Sequence, residues 1–325
     1  MKGWDVKIFE TTTTSFDVTA LELFQFQYQH NSLYRHYANH LNRHPNNVHC
    51  ISDIPFLPIR FFKTHQVKST DFEPALVFQS SGTTGSINSQ HLLKDPFFYE
   101  QSFLKAFTHF YGPIQDWCII GLLPSYLENG NSSLVYMVDK LIKLSAHTQS
   151  GFYLYELSQL SQKLQQLNKA EQKVLLIGVT YALLDFAALY PHPLPNITVM
   201  ETGGMKGRRQ EIIRQEVHET LQKAWGVGPI HSEYGMTELL SQAYSKEEGV
   251  FACPPWMKIL MRAEDDPLSI KTEGRGVMNI IDLANVYSCA FIATDDVGVL
   301  RDNDCFEVLG RIDGSDLRGC SLLAL

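Results

Sequence analysis

Residues 75–86 read ALVFQSSGTTGS, an apolar run that ends in serine, threonine and glycine with almost no side-chain bulk. The apolar part predicts a strand over 75–79. Gly82 and Gly85 free the backbone there, so that successive N–H groups can turn inward onto an anion. The hydroxyls of Ser80, Ser81, Thr83, Thr84 and Ser86 add short donors at the same place. A strand followed by such a loop suits a polyphosphate. It is not the lysine-bearing phosphate loop, because no Lys follows Gly85 and the GxxxxGK[ST] spacing is absent. Taken alone, the stretch also reads as a flexible polar turn, and the rest of the chain has to choose between the two.

The bulk properties narrow the classes. With 325 residues the chain can bury a large core in one big domain or two. Hydrophobic residues make up 44% and charged residues 19%, which is ordinary for a globular protein. A formal charge of −8 argues against a nucleic-acid partner, which calls for a basic face. The start, MKGWDVKIFE, carries no secretory pattern, and no apolar run reaches the length of a transmembrane segment. Cysteines at 50, 118, 253, 289, 305 and 320 form no CxxC pair, and several lie in apolar runs. Free thiols in a reducing compartment fit this pattern better than a disulfide framework or a zinc site, so a cytoplasmic protein is expected.

Residues 16–43 read as helix, with an aromatic stripe in FQFQYQHNSLYRHYANHL that marks a buried face rather than a cofactor box. IPFLPIRFFKTH at 54–65 is an extended connector. Strands are expected over 75–79, 117–123, 152–155, 174–179, 196–200 and 229–232, and helices over 96–110, 132–145, 157–168 and 207–225. In the last of these Ile213, Val217 and Leu221 recur every four residues. Strands alternating with helices imply crossovers and therefore parallel pairing. From about residue 250 strands follow one another through Gly, Asp and Asn turns. The expected fold class is α/β, with a layered, mostly parallel domain and helical N-terminus over 1–250 and a β-rich subdomain with a short tail over 251–325.

Three further stretches follow in order: HSEYGMTE at 231–238, FIATDDVG at 291–298, read as an apolar strand ending in paired aspartates, and LGRIDGSDLRG at 309–319, with a Gly203-Gly204 turn before the first. Together with the loop at 80–86 they resemble the adenylate-forming superfamily of acyl-CoA synthetases and luciferases. Within it the chain is most similar to the acyl-protein synthetases of bacterial luminescence, on PSYLENGNSSLVYM at 124–137, ETGGMKGR at 201–208 and the ending RGCSLL.

The resemblance implies that ATP and Mg²⁺ are used to activate a carboxylic acid, such as a fatty acid, as its acyl-adenylate. Ser80, Ser81, Gly82, Thr83, Thr84 and Gly85 then hold the β- and γ-phosphates. Glu238 becomes the Mg²⁺ ligand, an ion that takes a carboxylate or two and fills its shell from phosphate and water. Thr237 meets the α-phosphate. Tyr234 stacks on adenine, with Gly235 and Met236 in the same turn, and Gly203, Gly204 and Met205 wrap the base. In Thr294-Asp295-Asp296, Asp296 matches the ribose ligand and Asp295 stands at the usual glycine, while Arg311 bridges ribose and phosphate. The acyl pocket is expected beside Tyr126, Asn129, Ser132, Ser133 and Met137. Glu233 and His231 receive no firm role, and His231 reads equally as a satisfied strand-end histidine.

Full-length synthetases continue past the segment matching Arg311 into a mobile lid that carries a catalytic lysine, and this sequence is expected to lack that lid or to hold only a vestige. Lys206, Arg208 and Arg318 are the candidate basic substitutes. Cys320 lies nine residues after Arg311, and an extended chain of that length spans up to about 30 Å. The family resemblance makes Cys320 the acyl acceptor, with Arg318 beside it favouring the thiolate. An acyl-acceptor protein, a reductase or an acyltransferase, would be the partner. Two other readings stay open: a ligase acting on CoA or a carrier-protein thiol, and a nucleotide-binding scaffold without catalysis.

Overall fold

A computed structural model of the chain describes residues 3–80, 87–123, 131–170, 172–203 and 213–312. The described residues cluster into two compact units, one drawn from residues 3–106, 236–242 and 252–312 and the other from 107–235 and 243–251.

In the second unit the strands Gly151–Phe152, Cys118–Leu122, Val174–Gly178, Ile197–Glu201 and His231–Tyr234 lie side by side in that order, all parallel. Ala243–Ser245 then pairs antiparallel with His231–Tyr234. The central runs CIIGL and VLLIG are buried at every position, as parallel strands covered on both faces require. Helices Ser133–Ser145, Leu157–Lys169 and Arg214–Trp225 bury one face each. A fourth helix, Thr180–Leu189, was not expected from the sequence; seven of its ten residues are buried, so its apolar pattern shows no helical stripe. Arg214–Trp225 is shorter than the expected 207–225, whose first part lies outside the described residues. Val217 and Leu221 are buried as predicted, but Ile213 sits at the cap, 47% exposed.

In the first unit the strands are antiparallel, ordered Ile270–Lys271, Met257–Arg262, Gly274–Asp282, Phe291–Leu300 and Phe306–Arg311. This is the β-rich C-terminal region expected from the Gly, Asp and Asn turns. Phe291–Leu300 changes partner along its length. Ile292 and Ala293 pair in parallel with Leu57–Pro58, whereas residues from Asp296 onward pair with Phe306–Arg311. The aspartates expected at the end of this strand therefore stand inside it, at the switch.

The strand Leu76–Gln79 pairs antiparallel with Gln90–Leu93. Ser80 closes the base of the intervening segment: its N–H donates to the Ser89 carbonyl at 3.0 Å, and its Oγ accepts from Ser89 N–H at 2.9 Å.

The expected N-terminal helix is two helices, Phe16–His30 and Ser32–His40. Asn31 breaks it: its Oδ1 caps the second helix by accepting from Tyr34 N–H, and its Nδ2 donates to the Ser288 carbonyl. Gln27, wholly buried, donates to the Asn285 and Val286 carbonyls and accepts from Ala290 N–H. The aromatic stripe is packing, as predicted, with Phe24 and Tyr34 against Phe291. Among the described residues no helix is long and apolar enough to cross a membrane.

Candidate active site

In the first unit the Thr237-Glu238 motif is built into a buried polar frame. The loop after strand Gly274–Asp282 supplies most of it. Asp282 accepts from Leu240 N–H at 2.7 Å, from Ser241 N–H at 3.0 Å and Oγ at 2.6 Å, and from Ala284 N–H at 3.2 Å. Burial pushes this carboxyl above its ordinary value, and these donors pull against it. Asn285 donates from Nδ2 to the Glu238 carbonyl at 2.8 Å. From the strand Gln90–Leu93, His91 reaches the Thr237 carbonyl through Nδ1 at 2.8 Å and Asn285 Oδ1 through Nε2 at 3.0 Å. Burial lowers the His91 imidazole, opposed by the Thr237 carbonyl and the Glu238 charge. The backbone of the motif is thus fixed from both sides. None of His91, Asp282 or Asn285 was singled out from the sequence.

The same unit brings Asp295, Asp296 and Arg311 together. Asp296 and Arg311 face each other across paired strands, with Arg311 Nε donating to Asp296 Oδ1 at 3.0 Å. Arg311 Nη2 lies 3.8 Å from Asp295 Oδ2, and Arg60 Nε lies 3.5 Å from the same oxygen. Both members of the closer pair are nearly buried, at 6% and 7% side-chain exposure, so the ion pair is shielded from water. Two carboxylates and a guanidinium at a strand switch form a set of acceptors and donors suited to vicinal hydroxyls.

The second unit carries Gly203, Tyr234 and Gly235, while Ser80 and Met236 belong to the first. The end of Ile197–Glu201 pairs in parallel with the start of His231–Tyr234, at the carboxyl edge of the sheet where α/β folds place ligands. Gly203 follows with φ +70°, a left-handed conformation that favours glycine. Tyr234 is buried, its ring 6.0 Å from that of Phe251. Glu201, to which the sequence alone gives no role, is 2% exposed. It accepts from Gly203 N–H at 2.7 Å and Thr180 Oγ1 at 3.1 Å, and it faces Arg214 at 3.4 Å and His218 at 3.8 Å. Burial pushes Glu201 upward, but the His218 hydrogen bond and the Arg214 charge overcome it and hold the carboxyl down at about 2. Burial and the Glu201 charge push Glu233 the other way, to about 8. His231, bonded through Nδ1 to the Tyr111 hydroxyl at 3.1 Å, is lowered by burial to about 4.

The sign of the Glu201 shift gives a testable pH dependence. Its folded value lies below the ordinary 4.5, so its contribution is present above about pH 4.5 and drains as pH falls toward about 2. A shift of this size corresponds to about 3 kcal/mol. Glu201→Gln is expected to show lower stability than wild type at about pH 6, with the gap narrowing below about pH 4.5 in urea titrations. A gap that widens on acidification would refute the assignment.

Several sequence candidates lie outside the described residues: Ser81 to Gly85, Gly204, Met205, Lys206, Arg208, Arg318 and Cys320, with Tyr126 and Asn129 of the expected acyl pocket. Ser132 caps the helix Ser133–Ser145, accepting from Val135 N–H, and Met137 is core. Cys118 and Cys289 are fully buried, and burial raises Cys289 to about 12.

Glu238 and Thr237 suit Mg²⁺ by their chemistry. A carboxylate beside a hydroxyl is the small hard-oxygen set that this ion takes from protein when phosphates complete its shell. Among the described residues no cluster of three or more His, Cys, Asp and Glu forms an all-protein cage.

The fold, with one parallel and one antiparallel unit, is similar to that of solved acyl-activating ligases. A solved 2-hydroxyisobutyryl-CoA ligase is similar, with TM-score 0.64 and 11% identity, covering 95% of this chain and 70% of that one. MatB from Rhodopseudomonas palustris gives 0.53 at 14% identity over 73% of this chain and 48% of its own. The family model described as acyl-protein synthetase, LuxE, matches residues 9–324, and the chain belongs to that family. It is therefore an enzyme of the ligase class. Two long-chain-fatty-acid–luciferin-component ligases are similar over most of their length. The Aliivibrio fischeri protein is 24% identical over 97% of this chain and 89% of its own, and the Vibrio harveyi protein 23% identical over 92% and 84%.

Proposed function

We propose that the protein activates a fatty acid with ATP as an acyl-adenylate and then carries the acyl group on Cys320 for delivery to a partner protein. The observation that supports this most is the acyl-protein synthetase match over residues 9–324. In the first step a carboxylate oxygen attacks the α-phosphorus, an O–P bond forms, and the bond to the β-phosphate oxygen breaks to release pyrophosphate. The chain's part is to align the reactants and neutralise charge, which together supply most of the rate enhancement in such transfers. Ser80 to Gly85 hold the outer phosphates. Asp296 accepts from the ribose hydroxyls while Arg311, already paired to it, reaches toward the phosphate. The Gly203 turn and Tyr234 hold the base, and Lys206 offsets charge at the reacting phosphate. Mg²⁺ bound by Glu238 supplies further neutralisation of the phosphates. In the second step the Cys320 thiolate attacks the acyl carbonyl, a C–S bond forms, and AMP leaves with the C–O bond pair. The acceptor of the acyl group is a reductase or an acyltransferase, and the reaction is placed in the cytoplasm.

Intact-protein mass after incubation with ATP, Mg²⁺ and pooled fatty acids tests both steps. A hydroxylamine-labile acyl adduct is expected on wild type and not on Cys320→Ser. Pyrophosphate release without any adduct would mean an external thiol acceptor instead, and neither signal would mean a silent nucleotide binder.

A further inference from the structure

Glu201 does more than accept from the Gly203 backbone. One carboxylate oxygen, Oε2, takes both the Gly203 N–H and the Thr180 hydroxyl, and Thr180 N–H in turn donates to the Gly203 carbonyl at 2.9 Å. Both backbone groups of Gly203 are thereby fixed. The other oxygen, Oε1, faces Arg214 and His218 on the helix Arg214–Trp225. The Arg214 guanidinium lies 5.1 Å from the centre of the Phe251 ring. Phe251 meets Tyr234 edge-on. A Cβ at Gly249 would come within 3.1 Å of Arg214 Cδ, so the arginine stem lies directly on that backbone.

A continuous chain of contacts, Gly203–Glu201–Arg214–Phe251–Tyr234, therefore joins the two described groups assigned to the base. The charge that links it is well insulated: Arg214 is 17% exposed and Glu201 3% in their side chains. In that setting an ion pair is weakly screened and directional. A buried pair of this kind is weak evidence for stability, and fixing one arrangement over others is among its attested uses.

We infer that Glu201 and Arg214 act as a positioning pair that sets the Gly203 backbone and the Tyr234 ring relative to one another for recognition of the nucleotide base. Neither residue touches a reacting atom. The inference rests on the proposed adenylation, since it is the base of ATP that the pair would serve.

The test uses full-length wild type, Glu201→Gln, Arg214→Met and the double variant, with acid-dependent pyrophosphate exchange as the readout. Each single variant is expected to raise KM for ATP about 10-fold while KM for the fatty acid stays within about twofold. The preference for ATP over GTP should fall in parallel. The double variant should be no worse than the poorer single, because the two residues act as one unit. Additive losses, or KM values for ATP and acid that rise together, would mark a merely structural role and overturn the inference. If Glu201→Gln does not fold, Arg214→Met decides by the same split. A wild type that exchanges, with variants whose KM for ATP is unchanged, removes this inference alone. A wild type that neither exchanges pyrophosphate nor binds ATP removes the adenylation reading and this inference with it.

Discussion

Asp282→Ala is expected to lower the unfolding free energy by about 4 kcal/mol, the largest single effect on stability that the structure predicts. The side chain is wholly buried and accepts four hydrogen bonds. Three of the donors are backbone N–H groups, of Leu240, Ser241 and Ala284, and alanine would leave all three in the interior without acceptors. Each stranded group costs about 1–3 kcal/mol, and partial relaxation with water entry keeps the total below the sum. Asp282→Asn keeps the volume but offers one acceptor oxygen instead of two, so about half the loss is expected. The effect also reaches function, because Leu240 and Ser241 lie two and three residues after Glu238. Urea titration of both variants provides the check. A loss below about 1 kcal/mol for alanine would mean that the loop repacks freely and that Asp282 is not its anchor.

How much of this was legible in the sequence depended on whether the cause was local. The strand before the Ser/Gly loop, the parallel strands and the β-rich end were all readable, because an apolar run bounded by turn residues carries its own signal. The break at Asn31 was not. Its side chain is held by Ser69 and Ser288, 38 and 257 positions away, and no local pattern marks such partners. Likewise Asp295 and Asp296 looked like the end of a strand because nothing in FIATDDVG announces that the strand changes neighbour there. The helix Thr180–Leu189 follows a buried strand with hardly a polar residue between, so periodicity could not separate them. Glu201 is a different case. A carboxylate closing an apolar strand, immediately before Gly203-Gly204, is a visible anomaly, and the cost of burying a charge is reason enough to single it out. His91 gave no such cue, since a single histidine in QHLL is as often a satisfied core residue as a strut.

For the chemistry, the largest expected loss follows Glu238→Gln. On the adenylation reading this carboxylate binds Mg²⁺, and the isosteric amide removes the charge while keeping the volume. Acid-dependent pyrophosphate exchange should fall about 10²–10³-fold, the usual loss when one electrostatic stabiliser of a charged transition state is deleted. Stability should change little by comparison with Asp282→Ala, because the backbone of the motif is held by Asn285, His91 and Asp282 independently of this side chain. The Mg²⁺ concentration at half-maximal rate should rise in the variant, which an indirect structural effect would not produce. Asp296→Asn offers the contrast: it weakens the Arg311 pair and should act mainly through KM for ATP. Exchange within about threefold of wild type in Glu238→Gln, at an unchanged Mg²⁺ midpoint, would remove Glu238 from the metal site. The hydroxyl of Thr237 would then be left with too few hard ligands beside it to hold the ion, and the adenylation reading would need another carboxylate.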